Sequence, residues 1–216
     1  PTPTPTATPT PTPFPWISLY DPFIFGDNCN FEVQETCLEN IIPDIEIVKR
    51  YLAIRDAYPQ YALKYARVLA LSGMTLPAIE LFHESLSKQK QNRRPIDVLF
   101  YSDSKLNHVI DSSLAVPLIS LCEFVHPSRI VFGKGSMKRE GMGSVIQWMI
   151  DNRDKGYFNE LTEFQITGHM IASFDGSEED GVTLQDQIVS NLGKMCRDRT
   201  NFPKLRLLNF NDNGYD

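Results

Sequence analysis

The chain has 216 residues, a formal net charge of -6 and 42% hydrophobic residues. That is one domain's length with enough apolar residues for a core, which excludes a collagen-like, wholly disordered or membrane-bundle chain. The acidic balance, with a pI near 5.3, argues against a general nucleic-acid binder, which carries a basic face.

Seven of the fifteen prolines fall in the first fifteen residues, PTPTPTATPTPTPFP. Proline fixes φ and removes a backbone donor. Residues 1–13 therefore read as an extended, polyproline-like linker. Residues 14–43 are aromatic but broken by Pro15 and Pro22, and read as an irregular segment packing over one end of the body. From Asp44 the residues Ile45, Val48, Tyr51 and Leu52 recur at helical spacing, with Pro43 before and Pro59 after. Residues 14–64 thus form an N-terminal cap.

Beyond residue 64, short apolar runs alternate with amphipathic segments. The runs are Arg67–Leu71, Ile96–Tyr101, Arg129–Phe132, Leu161–Ile166 and Leu205–Phe210. The helices are expected over Leu76–Lys90, Ser112–Val125, Ser144–Asp154 and Leu184–Arg197. Thr75 is placed as the cap of the first. Thr183, with Asp186 three residues on, is placed as the cap of the last. Strand followed by helix, five times over, predicts an α/β fold of parallel strands joined by crossovers.

The central apolar residues of the runs, Leu69, Val98, Ile130, Phe164 and Leu208, are spaced by 29, 32, 34 and 44 residues. A second apolar residue follows two positions later each time: Leu71, Phe100, Phe132, Ile166 and Phe210. A drifting period near thirty is a repeat signature. The motif Leu205-x-x-Leu208-x-Phe210-x-x-Asn213 resembles the core of the leucine-rich repeat family in its helix-containing, ribonuclease-inhibitor-like form. Leu161-x-x-Phe164-x-Ile166-x-x-His169 follows it closely. Pro127, Ile130, Phe132 and Gly135, then Pro95, Val98, Phe100 and Asp103, then Ala66, Leu69, Leu71 and Met74 are degraded copies. Only Asn213 supplies the expected ninth-position Asn, so the resemblance implies an irregular solenoid over residues 65–216. The chain is expected to be a fragment, truncated at the C-terminus, because it stops directly after the best motif.

The resemblance implies a non-enzymatic module that recognises a protein or peptide through the concave face of its sheet. Period-two alternation puts three columns there. The first is Val68, Asp97, Arg129, Glu163 and Leu207. The second is Ala70, Leu99, Val131, Gln165 and Asn209. The third is Ser72, Tyr101, Gly133, Thr167 and Asn211. The candidate binding residues are Asp97, Leu99, Tyr101, Arg129, Val131, Glu163, Gln165, Thr167, Asn209 and Asn211. An alternative for Asp97, Arg129 and Glu163 is a self-neutralising ladder.

The rival architecture is a doubly wound α/β enzyme or nucleotide-binding domain, with His169 and the Lys134–Arg139 loop at strand C-termini. GKGSMKREGMG matches neither G-x-x-x-x-G-K-[ST] nor G-x-G-x-x-G and reads as an exposed connection. In that sheet the strand order reverses; in the solenoid it follows the chain. No catalytic group, cofactor or metal site is assigned. His83, His108 and His126 read as surface or capping residues. The acidic run around Asp175, Glu178, Glu179 and Asp180 lacks calcium-loop spacing and reads as a solvated loop. Lys88–Arg94 reads as dipole-complementing charge at a helix end, not a nucleic-acid patch. Cys29 and Cys37 could pair in an oxidising compartment; Cys122 and Cys196 are expected as buried thiols. No apolar run reaches membrane-spanning length. A cytoplasmic location is expected, or a surface one if the Pro-Thr run is a glycosylated stalk.

Overall fold

The computed structural model describes residues 16–18, 44–57, 68–88, 95–101, 109–169 and 178–210. The elements in chain order are β1 (Trp16–Ser18), α1 (Asp44–Ala57), β2 (Val68–Ser72), α2 (Leu76–Ser87), β3 (Ile96–Tyr101), β4 (Val109–Ile110), α3 (Ser112–Ser120), α4 (Cys122–Val125), β5 (Pro127–Met137), α5 (Arg139–Asp151), a 3-10 turn (Arg153–Lys155), β6 (Glu163–His169), α6 (Glu178–Arg197) and β7 (Leu207–Asn209). The fold is α/β with a parallel sheet. Its main path runs β1-β2-β3-β5-β6-β7, and β4 pairs with the far end of β5. Among the described strands the order never reverses.

The register places Leu69, Val98, Ile130, Phe164 and Leu208 on one row. Leu71, Phe100, Phe132 and Ile166 form the next row on the same face. Apart from Leu208, which is partly buried, these side chains are at most 1% exposed. They share one core with Ile79 and Phe82 of α2, Ala115 and Ile119 of α3, and Val145, Ile146 and Met149 of α5. The Phe100 and Phe132 rings lie 4.7 Å apart. Each longer helix packs on the next, α1 on α2, α2 on α3, α3 on α5 and α5 on α6. Burial of these interleaved apolar side chains is the main stabilising term, at about 25 cal/mol per Å2.

Several element boundaries differ from the sequence reading, each for a local reason. Trp16–Ser18, expected to be irregular, form a parallel strand beside β2. The segment GKGSMKREGMG is not an exposed connection. Gly133–Met137 continue β5, and Arg139–Gly143 open α5. Gly141 and Gly143 hide that first turn, because glycine is a poor helix former. The helix nevertheless needs Gly141. A Cβ there would lie 2.6 Å from the carbonyl oxygen of Ile110, which accepts from the Lys138 N–H at 3.0 Å. The short strand β4, unseen in the sequence, is thereby locked against the start of α5.

The expected helix over Ser112–Val125 is two pieces. Pro117 lies inside α3 and offers no N–H, and the chain tightens at Leu121, whose N–H donates to Leu118. Asp111 caps α3 with its carboxylate. α2 ends at Ser87 rather than Lys90, and Thr75 holds its N-cap position as expected. Thr183 is no cap: α6 begins at Glu178, so the acidic residues Glu178–Asp180 belong to a helix rather than a loop. Of the two readings for His126, capping holds and surface does not: it is 9% exposed and is the C-cap of α4, in the left-handed region at φ 45. Cys122 is buried as expected, but Cys196 is exposed. The Pro-Thr run, Cys29, Cys37, Gln89–Arg94, Asp103, His108, Asp175, Asn211 and Asn213 lie outside the described residues.

Candidate functional site: the open sheet face

Residues at alternate strand positions point away from the helix layer, and the register lines them up in columns. Val68, Asp97, Arg129, Glu163 and Leu207 are successive partners, as are Ala70, Leu99, Val131, Gln165 and Asn209. Ser72, Tyr101, Gly133 and Thr167 form the third column. The strands thus bring seven of the ten candidate binding residues onto one face, and Tyr101 and Thr167 hold third-column register positions; Asn211 falls outside the described residues.

The first column is a charge ladder. Arg129 Nη2 stands 3.0 Å from Asp97 Oδ2, and Arg129 Nη1 stands 4.0 Å from Glu163 Oε2. Asp97 Oδ1 also accepts from Ser128 Oγ at 2.9 Å, and Glu163 Oε2 accepts from Gln165 Nε2 at 3.2 Å. The three charged side chains are between 29% and 39% exposed, so the ladder is solvent-screened and each pair is worth at most about 1 kcal/mol. Arg129 Nε is buried and has no hydrogen-bond partner among the described residues. Beneath the ladder, Ser128 O accepts from both the N–H and the hydroxyl of Thr162, and Thr162 O accepts from Arg206 N–H. This backbone stitching fixes the strands and hence the ladder.

The second column is apolar toward β3 and polar toward β7. Leu99 is 8% exposed, Val131 half-buried, and Gln165 and Asn209 half-buried amides. Leu207 is 40% exposed. Ser128 and Leu207 matter to this face but were not among the candidate binding residues. Only the register reveals that Ser128 reaches Asp97 across a strand. Leu207 was legible as a first-column residue.

Two other features are less favourable. Ile150, Arg153, Lys194, Arg197 and Asp198 line an open depression of about 450 Å3. Two of its cations have partners already: Arg153 Nη1 donates to Ile150 O at 2.6 Å, and Lys194 Nζ donates to Asn191 Oδ1 at 2.9 Å. Arg153 Nε also faces Asp198 at 3.5 Å. The nucleotide-site alternative loses its loop, because Lys134 lies in β5 and Arg139 opens α5. His169 pairs in register with Gly135 at the end of β6. Among the described residues no group of three His, Cys, Asp or Glu is placed to hold a metal ion, and no helix is long and apolar enough to cross a membrane.

Compared with models of known protein families, with curated proteins and with solved structures, the chain matches none.

Proposed function

We propose that the chain is a divergent, leucine-rich-repeat-like solenoid whose open sheet face recognises a protein or peptide. The observation that carries this reading is the strand order. Parallel strands pair in chain order, with matching residues of successive units in register. A doubly wound sheet requires a reversal, and its ligands bind at the reversal point. Repeat architectures instead stack each unit on its neighbour and leave one continuous face free. Here that face mixes half-exposed charges, amides and aliphatic side chains, the composition of a polar interface with apolar patches. The strands hold these groups rigidly, so little further ordering opposes binding.

The test uses peptides selected from a displayed random library against the immobilised full chain. Val131→Trp blocks the middle of the open face, and its half-buried side chain can turn outward without disturbing the core. Asp186→Trp, at an exposed position of α6, is the control. Selected peptides are expected to lose at least tenfold in affinity for Val131→Trp and to bind the control as they bind the parent chain. Selected peptides that ignore Val131→Trp would overturn the open-face reading.

A further inference from the structure

We infer that the occupant of the open face is a basic peptide segment that lays an arginine across Glu163 and Leu207, an inference that rests on the open-face reading above. The first column alternates in charge from Asp97 through Arg129 to Glu163 and then stops at Leu207. Two carboxylates share one guanidinium, and they share it unequally. Asp97 has both oxygens engaged, one by Ser128 Oγ at 2.9 Å and the other by Arg129 Nη2 at 3.0 Å. Glu163 has only its Oε2 engaged, by Gln165 Nε2 at 3.2 Å, with Arg129 Nη1 at 4.0 Å. Its Oε1 accepts no hydrogen bond from the described residues. With 37% of the Glu163 side chain exposed, a ligand can approach the carboxylate from solvent.

The neighbouring rung completes the pattern. Leu207 is 40% exposed and is the in-register partner of Glu163. A side chain that satisfies both has a cationic tip on an apolar stem, which is the shape of lysine and arginine. Arginine fits better than lysine. Gln165 spends its Nε2 on Glu163, which leaves the amide oxygen as a second acceptor two positions along the same strand face. A planar guanidinium fork can engage Glu163 Oε1 and that oxygen together, whereas an ammonium is a point charge. The added cation extends the alternation by one rung. An acidic side chain would stand as a third carboxylate beside one guanidinium. The net charge of -6 favours the encounter with a basic segment.

The experiment measures binding of the full chain to four peptide pools, each with one fixed central residue (arginine, lysine, norleucine or glutamate) and randomised neutral flanks. The arginine pool is expected to be retained about fivefold more strongly than the norleucine pool, with lysine between them and glutamate last. Glu163→Gln is isosteric at a partly exposed position and should fold normally by circular dichroism. It is expected to remove the arginine preference while leaving norleucine retention unchanged. An arginine preference that persists in Glu163→Gln overturns the assignment. So does stronger retention of the norleucine or glutamate pool that Val131→Trp abolishes, an outcome that leaves the open-face reading standing. Retention of every pool unaffected by Val131→Trp overturns both.

Discussion

Asp111 holds the start of α3 by itself. Its Oδ1 accepts from Ser113 N–H at 2.9 Å, Leu114 N–H at 3.3 Å and Ser113 Oγ at 2.6 Å. The Ser113 hydroxyl, more than the two amides, holds this carboxyl below the usual Asp range. A carboxylate depressed in the folded state stabilises fully above its unfolded value, near pH 4, and loses that contribution as pH falls through the lower folded value. Asp111→Ala should cost about 1 kcal/mol in urea unfolding at pH 7. The difference between the two proteins should shrink below pH 4, and a pH-independent difference would contradict the assignment. Gly141 is the other single-residue constraint. Gly141→Ala sets a methyl against the Ile110 carbonyl and should destabilise by roughly 1–3 kcal/mol, where an ordinary exposed helix site would gain from alanine. The two thiols of the described residues differ as sharply. Burial pushes the Cys122 thiol far up, while Cys196 is exposed. Site-resolved mass spectrometry should find Cys196 alkylated in the native state and Cys122 only after unfolding.

At the scale of elements, the sheet depends on its two interior rows. Phe132 is fully buried against Phe100, so Phe132→Ala should cost about 3–5 kcal/mol by chemical denaturation. Arg129→Gln, on the open face of the same strand, should cost at most about 1 kcal/mol while altering peptide selection. A large stability loss there would mean that the charge ladder is chiefly structural. Helix contacts use polar groups as well. Asn191, 3% exposed, donates to Gln147 Oε1 at 2.8 Å and accepts from Lys194, so α5 and α6 meet through a satisfied amide pair, as a buried polar group requires. The period-two alternation made the strands and their two faces readable, because pleating alone sets it. Element starts were less readable. The first turn of α5 was hidden by two glycines, of which Gly141 is demanded by a tertiary contact, and β4 by its two-residue length.

Across the whole molecule, pairing decides where stability concentrates. β5 pairs over six positions with β3 and over six with β6, and β3 over five more with β2, whereas among the described strands β1 and β7 each pair over three positions with a single neighbour. Hydrogen exchange should therefore be slowest in β5 and β3 and fastest in β1 and β7; uniform protection would contradict this gradient. The sequence by itself determined the α/β class, the parallel crossovers and the column membership of the open face. Those follow from side-chain periodicity and from the length of chain needed to return to a parallel strand. Only the tertiary structure decided that the described strands join in chain order without reversal, that both Asp97 oxygens are engaged, by Ser128 and Arg129, and that Glu163 keeps an oxygen with no donor among the described residues beside exposed Leu207. Such facts depend on distances between residues about thirty to forty positions apart, which no local pattern encodes. They arise when the buried rows stack and draw the open-face side chains into register.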